Sequence, residues 1–276
     1  MMNNKRIIIL LGIVFCTIPF FGFWLKPNKK MYELKVLSYN IHHANPPSQQ
    51  DSIDLNAIIK VIESTDADLL ALQEIDDNTL RSGHGNQATI IAEALGMQVF
   101  FGKTIDFQGG GYGIAILSRF PLANSQIYRL PTQEGTGGEP RVLITTRVSL
   151  QDGQEVTFAC THLDAQRTDT NRQLQIDKIT ELTRSLNGPL IIGGDFNAEA
   201  GTEVIDSLDT FFTRTCLVNC PPTIPADAPA KTIDFIAFKN TGHLMLKQHQ
   251  VIQEPYASDH LPVLATFSYP VSSAHK

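Results

Sequence analysis

Apolar runs of strand length recur along the chain, and most of them end at a polar or charged residue. Residues 34–40 alternate apolar and polar side chains, which predicts a strand. Residues 67–73 are almost continuously apolar, which indicates a strand buried on both faces. Runs of these two kinds also predict strands at 97–102, 112–118, 142–149, 156–161, 190–194, 233–238, 244–252 and 261–267.

Apolar residues at helical spacing predict three helices. They lie at residues 51–65, at residues 87–95, where Gly96 ends the helix, and at residues 170–186. The Asp-Gly pair at 152–153 lies between two predicted strands and indicates a hairpin. Because both hairpins and helices connect the strands, the pattern predicts two stacked mixed sheets with helices outside.

One domain, residues 31–270, contains all of these elements. The chain has 276 residues, of which 42% are apolar, and this is enough to fill the core of one large sandwich. Residues 1–30 are expected to form a separate N-terminal segment with a linker, and residues 271–276 a short C-terminal tail.

The N-terminal segment carries an uncharged apolar run at residues 7–25, with basic residues on both sides. This run is long enough to cross a bilayer as a helix, and a cleaved signal peptide is the alternative. No small-x-small cleavage site occurs near residues 23–25, which favours a retained anchor. We therefore expect a membrane-anchored or exported protein at the periplasmic or extracellular face of the cell membrane.

The charge distribution disfavours nucleic acid as a partner. The formal net charge is −6, yet five basic residues precede residue 31 and every acidic residue follows it. The body therefore carries 17 basic against 28 acidic residues, a balance of −11. An acidic surface repels a phosphate backbone, although a bound divalent cation would offset this repulsion locally.

The four cysteines do not have the spacing of a cysteine-based zinc site. Cys216 and Cys220 are close enough in sequence to form a small-loop disulfide if the body is exported. Cys160 lies within a predicted strand, and we expect it to be buried.

Polar side chains that can bind metals or transfer protons follow the predicted strands. Where several strand ends meet around one site, such side chains come together. The set is rich in carboxylates and contains two histidines, which suits a hard cation such as Mg²⁺ with a histidine beside it. Its members are Asn40, Glu74, His162, Asp195, Asn197, Asp234, Asp259 and His260.

These residue types suit the hydrolysis of a phosphoester. A divalent cation on a phosphate oxygen offsets the charge that develops in the transition state. Glu74 as a single carboxylate ligand would leave most of an octahedral shell to water and substrate, as Mg²⁺ prefers. Asp195 can take a proton from the attacking water, and Asp234 beside His260 would favour the imidazolium form. The choice between Asp195 and His260 as the base stays open.

Seven short motifs, in order along the chain, resemble the signature of the endonuclease/exonuclease/phosphatase superfamily of DNase I-like phosphoesterases. They are LSYN (37–40), LQE (72–74), YGIAILS (112–118), THLD (161–164), GDFN (194–197), TIDFI (232–236) and SDH (258–260). The resemblance implies a four-layered α/β sandwich, in which two stacked mixed β-sheets are flanked by helices. It also implies that the site lies at one edge of the two sheets.

The resemblance assigns a metal shell and a water-orienting pair. Glu74 matches the principal metal ligand, and Asn40 and Asp259 match nearby positions of the metal shell. Asp195 and Asn197 match the pair that orients the attacking water and the phosphate. The expected ion is Mg²⁺, with Mn²⁺ or Ca²⁺ as alternatives.

The remaining matches are a histidine–carboxylate pair and phosphate-binding residues. His260 matches the catalytic histidine, and Asp234 matches its carboxylate partner. His162 matches a histidine that contacts the phosphate, as Asn197 also does. Arg141 matches a phosphate-binding arginine, with an ordinary surface cation as the alternative.

Three functions remain open at this stage. The first is a phosphoesterase acting on a lipid head group or small phosphodiester near a membrane, with the N-terminal run and the acidic body in its favour. The second is an exported nuclease, for which the basic residues form no cluster in sequence. The third is a non-catalytic binding module, which the intact set of site residues disfavours. We expect a monomer in each case.

Three loop histidines, His42, His43 and His84, stay undecided between the site and solvent. Tyr112 follows a glycine run and is expected to pack in the core, with contact to the substrate as the alternative.

Overall fold

The computed structural model describes residues 30–49, 51–239, 241 and 244–271. The apolar run 7–25 and most of the tail 271–276 lie outside the described residues, so the predictions of an anchor, a signal peptide and a linker remain predictions. In the part of the chain that the structure describes, no helix has both the length and the apolar composition needed to cross a bilayer.

Twelve strands and four α-helices make up the described residues. The strands are β1 (Met31–Asn40), β2 (Leu69–Asp77), β3 (Gln98–Phe107), β4 (Gly110–Ser118), β5 (Leu122–Arg129), β6 (Val142–Ser149), β7 (Glu155–His162), β8 (Leu190–Asp195), β9 (Thr213–Arg214), β10 (Asp234–Lys239), β11 (Met245–Val251) and β12 (Val263–Pro270). The helices are α1 (Leu55–Thr65), α2 (Gln87–Leu95), α3 (Thr170–Arg184) and α4 (Glu203–Asp209), with a short 3-10 helix at His42–Ala44.

The strands form two mixed sheets, which confirms the predicted sheet architecture. Across the described residues, the first sheet has the order β11-β12-β1-β2-β4-β3 and the second β5-β6-β7-β8-β10-β9. The pairs β1–β2 and β7–β8 are parallel, and the other pairs are antiparallel. Each parallel pair is connected through a helix, as a parallel crossover requires.

Apolar residues on both faces of the sheets create three packed interfaces. On β1, Val36 packs into the core between the sheets, while its neighbour Leu37 packs against the layer of α1 and α2. On β8, Ile191 faces the same inter-sheet core and Ile192 faces α3 and α4. Because successive side chains of a strand point to opposite faces, this alternation gives the predicted four layers of helices, sheet, sheet and helices.

Local sequence explains where the helices begin and end. The Asp54 side chain accepts a hydrogen bond from the Ala57 amide and caps α1, and Asn86 caps α2 in the same way through Thr89. Gly96 ends α2 in the left-handed conformation that glycine adopts without strain. Cys160 and Tyr112 are buried, as expected, and a disulfide joins Cys216 and Cys220.

The sheets approach closely just before the end of β8. A Cβ atom added at Gly193 would lie 2.9 Å from the Cβ of Ala71 and 3.2 Å from that of Ser38, both in the opposite sheet. Glycine at this position therefore lets the sheets come together next to Asp195, the residue that ends the strand.

The sequence pattern does not predict three elements, β5, α4 and β9. Strand β5 is an edge strand whose side chains are mostly exposed, so its sequence lacks a regular apolar run. Helix α4 spans only seven residues, and β9 only two, which is too short for a periodic signal.

Candidate active site

Polar residues at the ends of strands from both sheets meet at one place. In the second sheet, Asp195 ends β8 and pairs across the strands with His162 at the end of β7 and with Asp234 at the start of β10. In the first sheet, β1 ends at Asn40, whose amide reaches Asp195 across the gap between the sheets. Strand ends that were far apart in sequence therefore form one polar cluster.

Glu74 enters this cluster through an irregularity in β2. The pairing of β2 with β4 shifts between Leu72 and Ile75, and Glu74 has a φ of 59°. A bulge of this kind re-aims a side chain, and the left-handed conformation is unfavourable for a residue with a Cβ atom. Backbone strain held by the surrounding sheet thus places the Glu74 carboxylate at the site.

Asn40 connects the two carboxylates. Its Nδ2 donates to Glu74 Oε1 and to Asp195 Oδ2, at 3.1 Å each, and its Oδ1 accepts from the backbone amide of His42 at 3.0 Å. These contacts fix the orientation of the amide, because an ionised carboxylate only accepts and a backbone N–H only donates. In this arrangement the Asn40 nitrogen, and not its oxygen, faces Glu74.

The Glu74 carboxylate is held in its ionised form. Burial acts to raise its pKa, but the imidazole of His43 and the hydrogen bond from Asn40 outweigh burial and hold the pKa well below its usual range. An ionised carboxylate with one oxygen facing the interior of the site is a suitable ligand for a hard cation.

His260 forms a hydrogen-bonded pair with Asp234. The His260 Nδ1 and Asp234 Oδ2 atoms lie 2.9 Å apart, and both residues are buried. Burial alone would lower the pKa of His260, but the charges of Asp234 and Asp195 raise it to about 10. His260 is therefore an imidazolium at neutral pH, with its Nε2 3.7 Å from Asp195 Oδ2.

Asp195 is the residue on which these contacts converge. Its Oδ1 accepts from the backbone amide of Asn197 at 2.8 Å, and its Oδ2 faces Asn40, His162 and His260. Burial and the charge of Asp234 raise its pKa to about 7, against the opposing charge of His260. A carboxylate with such a pKa can accept and release a proton near neutral pH.

His162 has a tautomer fixed by Arg141. The Arg141 Nη1 lies 3.2 Å from His162 Nδ1, and since a guanidinium only donates, Nδ1 must accept. Burial first, and the charge of Arg141 second, hold the pKa of His162 well below its usual range. His162 is therefore neutral and carries its proton on Nε2, 3.5 Å from Asp195 Oδ2.

Two predicted site residues lie further from the centre. Arg141 is buried behind His162 and pairs with Glu139 at 3.1 Å. The Asp259 Oδ1 atom accepts from Ser258 Oγ at 3.4 Å and lies 3.9 Å from His42 Nδ1, and Asp259 belongs to neither group of potential metal ligands found among the described residues. Asn197 lies next to Asp195 in a left-handed conformation, and its Nδ2 donates to the Leu163 carbonyl at 3.1 Å.

Sequence reasoning left His42 and His43 undecided, although they contribute to the site. They follow Asn40 in the short 3-10 helix, and one ligand atom of each lies within 4.8 Å of a Glu74 oxygen. Their position two and three residues after a strand-end residue is the signal that could have placed them there.

A small cavity adjoins Glu74 on one side. It has a volume of about 150 Å³ and is lined by Glu74, Arg81, Ile105, Phe107, Tyr112 and Glu139. The Arg81 guanidinium lies 4.6 Å from the centre of the Phe107 ring and donates to both oxygens of Asp76. No pattern in the sequence marks Arg81 as a site residue, because these contacts join separate loops and strands.

The donor set fits a divalent cation at Glu74. The residues around it supply ionised carboxylate oxygen, amide and imidazole groups, which are ordinary ligands and supports of such ions. Asp195, Asp234 and His260 form a second group, in which one potential ligand atom from each residue lies within 4.8 Å of the others. Two of its three members already share a hydrogen bond, so this group is arranged for proton transfer more than for metal binding.

Comparison with known proteins identifies the family. The family model described as Endonuclease/Exonuclease/phosphatase family matches residues 37–260. The chain belongs to this family. Membership in this family confirms that the chain is a phosphoester hydrolase, as predicted. Members of the family generally depend on divalent metal ions.

Individual relatives and solved structures agree with the family. An uncharacterized protein of Escherichia coli K12, YbhP, is 25% identical over 256 residues, which cover 86% of this chain and 96% of YbhP. A family member from Beutenbergia cavernae superposes with a TM-score of 0.75 at 22% identity, over 86% of this chain and 72% of that one. The mannosyl-6-phosphatase Bt3783 of Bacteroides thetaiotaomicron superposes with a TM-score of 0.67 at 20% identity, over 85% and 99% of the two chains.

Proposed function

We propose that the chain hydrolyses phosphoester bonds, most favourably phosphodiesters, with a divalent cation bound at Glu74 and a water molecule attacking phosphorus. The observation that supports this most is the bridge through Asn40, which joins Glu74 to Asp195. The bridge places Glu74, which is suited to bind a cation, next to Asp195, which is suited to transfer a proton.

Glu74 is the proposed principal ligand of the cation, Mg²⁺, with Mn²⁺ or Ca²⁺ as alternatives. When bound, the ion would offset charge on a phosphate oxygen and orient the phosphate. Asn40 positions the carboxylate through its amide nitrogen. Asp259, which is about one-third exposed at the rim, is proposed to act through water molecules near the cation.

Asp195 and His260 are the proposed proton-transfer pair. A carboxylate with a pKa of about 7 is suited to take the proton from an attacking water. His260 is held as a cation by Asp234, so it can donate a hydrogen bond to the negative charge that develops on the phosphate. Asp234 therefore acts by orienting and charging His260.

His162 and Asn197 are the proposed contacts to the phosphate oxygens. His162 is neutral and presents Nε2–H toward the side of Asp195 that also faces His260. Arg141 is the residue that sets this tautomer. In this proposal Arg141 contributes positive charge from behind His162, in place of the direct phosphate contact that the family resemblance implied.

We infer a small substrate, such as a lipid head group or another small phosphodiester. The cavity beside Glu74 is small and is lined by two aromatic rings and Arg81. The body also carries a net charge of −11, which disfavours binding of a long polyanion. The apolar run 7–25 supports a location at the membrane or outside the cell, and we propose a monomer.

A substrate panel tests this proposal. The full chain, purified in mild detergent, is incubated with a chromogenic phosphodiester, sphingomyelin, phosphoinositides, mannose 6-phosphate and plasmid DNA, each with Mg²⁺ or EDTA. We expect metal-dependent release from a small diester or head group. Rapid nicking of plasmid DNA with little other activity would favour the exported nuclease, and no hydrolysis of any phosphoester would refute the proposal.

A further inference from the structure

Glu74 also belongs to a group of potential metal ligands whose two histidines have no role in the proposed chemistry. The other members are His42 and His43, and one ligand atom from each of the three residues lies within 4.8 Å of the others. The histidines come from the loop after β1, whereas Glu74 comes from the bulge in β2. The group is less buried than the one formed by Asp195, Asp234 and His260.

Glu74 presents a different oxygen to each side. Its Oε1 accepts from Asn40 at 3.1 Å, while its Oε2 lies 3.7 Å from His43 Nδ1. The second distance is too long for a hydrogen bond. Glu74 Oε2 therefore faces an imidazole nitrogen across a gap, while Oε1 accepts from the Asn40 amide that also donates to Asp195.

His43 supplies a nitrogen that has no hydrogen-bond partner among the described residues. Its side chain is 14% exposed, but the Nδ1 atom itself is buried and makes no hydrogen bond. Buried polar atoms are nearly always paired, since leaving one unpaired costs free energy. A cation between His43 Nδ1 and Glu74 Oε2 would satisfy both atoms.

His42 is oriented as a metal-binding histidine usually is. Its Nδ1 lies 2.8 Å from the Asn45 carbonyl oxygen, which can only accept, so Nδ1 carries the proton. The Nε2 atom then has a free lone pair. Histidine ligands of metals commonly donate their other ring nitrogen to a backbone carbonyl in this way.

The backbone that carries the histidines is held in an unfavourable conformation. His42, His43 and Ala44 have φ values of 47°, 43° and 60°, and Gln87 Nε2 donates to the His43 carbonyl at 2.7 Å. Three successive left-handed residues other than glycine are rare, and such strain tends to occur at functional sites. The two rings meet edge to face, with their centres 4.5 Å apart.

We propose that His42, His43 and Glu74 form a nitrogen-containing site for a divalent transition-metal ion such as Co²⁺ or Zn²⁺, which it binds in preference to Mg²⁺. Imidazole nitrogen favours late first-row transition metals, whereas Mg²⁺ favours oxygen ligands. This inference rests on the part of the proposed function that makes Glu74 a metal ligand, and it does not depend on the identity of the substrate.

Metal-binding calorimetry on the full chain, prepared without a histidine tag, tests the preference. Co²⁺ and Mg²⁺ are titrated into the wild type, His42→Gln, His43→Gln, and the control His84→Gln, which alters an exposed loop histidine. We expect the wild type and control to bind one Co²⁺ at least about 100-fold more tightly than Mg²⁺, and each cluster variant to lose about 10- to 100-fold of the Co²⁺ affinity. The Mg²⁺ affinity should change by less than about threefold, since Mg²⁺ relies on oxygen.

Pulsed electron paramagnetic resonance on the wild type gives a second readout that needs no variant. Cu²⁺, which binds imidazole nitrogen most strongly of the divalent first-row ions, is added at one equivalent, and modulation from imidazole ¹⁴N nuclei is recorded. We expect ¹⁴N modulation in the wild type and its loss in Glu74→Gln, where the ion is released. If a histidine variant fails to fold in EDTA, as judged by circular dichroism, this measurement decides the question alone.

Different results separate this inference from the proposed function. Absence of ¹⁴N modulation from Cu²⁺ bound to the wild type would overturn the inference, as would unchanged Co²⁺ affinity in a folded His43→Gln variant. Either result could accompany normal hydrolysis with Mg²⁺, which would leave the proposed function standing. Conversely, ¹⁴N modulation in a protein that hydrolyses no phosphoester would support the site and refute the proposed function.

Discussion

Asn40 donates one hydrogen bond to Glu74 and one to Asp195, which lies 155 residues further along the chain and in the other sheet. The residue is buried, so both bonds are shielded from solvent. The two carboxylates of the proposed site are therefore held apart and oriented by a single amide, and this contact also ties the sheets together at their polar edge.

Replacement of Asn40 tests this bridge. Asn40→Ala leaves Glu74 Oε1 and Asp195 Oδ2 without the shared donor, and the metal-free protein should lose about 1–3 kcal/mol of unfolding free energy. Urea unfolding in EDTA measures the loss. The exposed Asn187→Ala is the control and should change stability by less than about 0.5 kcal/mol. Equal stability of the two variants would show that the bridge contributes nothing.

Arg141 should act through the tautomer of His162. In the wild type, ¹⁵N chemical shifts should show His162 neutral with its proton on Nε2, because Nδ1 accepts from Arg141. Arg141→Met removes that donor and the nearby positive charge, so the pKa of His162 should rise and hydrolysis should fall by about 100-fold. A wild-type spectrum with the proton on Nδ1 would contradict the assignment.

His249 should make stability depend on pH. Burial lowers the pKa of this histidine, whose Nδ1 lies 2.8 Å from Thr215 Oγ1. The unfolded chain, with a histidine pKa of about 6.5, therefore binds more protons than the folded chain in acid. The stability that neutral His249 contributes is present above about pH 6.5. It is lost as the pH falls through the lowered pKa that His249 has in the folded protein.

The measurement compares unfolding free energies of the wild type and His249→Gln from pH 7.5 to 5. We expect the unfolding free energy of His249→Gln to fall less steeply with decreasing pH than that of the wild type. The control His84→Gln, which alters an exposed histidine, should show the same pH dependence as the wild type. A variant that declines as steeply as the wild type would show that His249 titrates alike in both states.

Arg81 should influence substrate binding more than the chemical step. Its guanidinium is held by Asp76 and lies against Phe107 in the wall of the cavity beside Glu74. Arg81→Ala should raise KM by about tenfold and change kcat by less than about threefold. Steady-state kinetics on the best small diester would show this, with the half-exposed Arg147→Ala as control. A fall in kcat alone would contradict this role.

The sequence pattern located the strands whose ends carry the site, because buried strands leave a strong apolar signal. It placed Asn40, His162, Asp195 and Asp234 at strand ends, and the strands β1, β7, β8 and β10 begin or end at these residues. The edge strand β5 left no such signal, since most of its side chains face solvent.

Features that depend on the third dimension could not be predicted from the sequence pattern. The bulge that turns Glu74 toward the site arises from the pairing of β2 with β4. The position of Arg141 behind His162 is likewise set by the pairing of β6 with β7. The left-handed turn of His42 and His43 lacks any glycine that would mark it in the sequence.

The central claim is that a cation at Glu74 and the imidazolium of His260 act together on phosphorus. The most direct test measures initial rates of hydrolysis of a chromogenic phosphodiester across Mg²⁺ concentrations. The proteins compared are the wild type, Glu74→Gln and His260→Ala. We expect EDTA to abolish the wild-type rate, Mg²⁺ to restore it, and each folded variant to be at least about 100-fold slower at saturating Mg²⁺. Wild-type rates from both variants, or a wild-type rate that persists in EDTA, would contradict the proposed site.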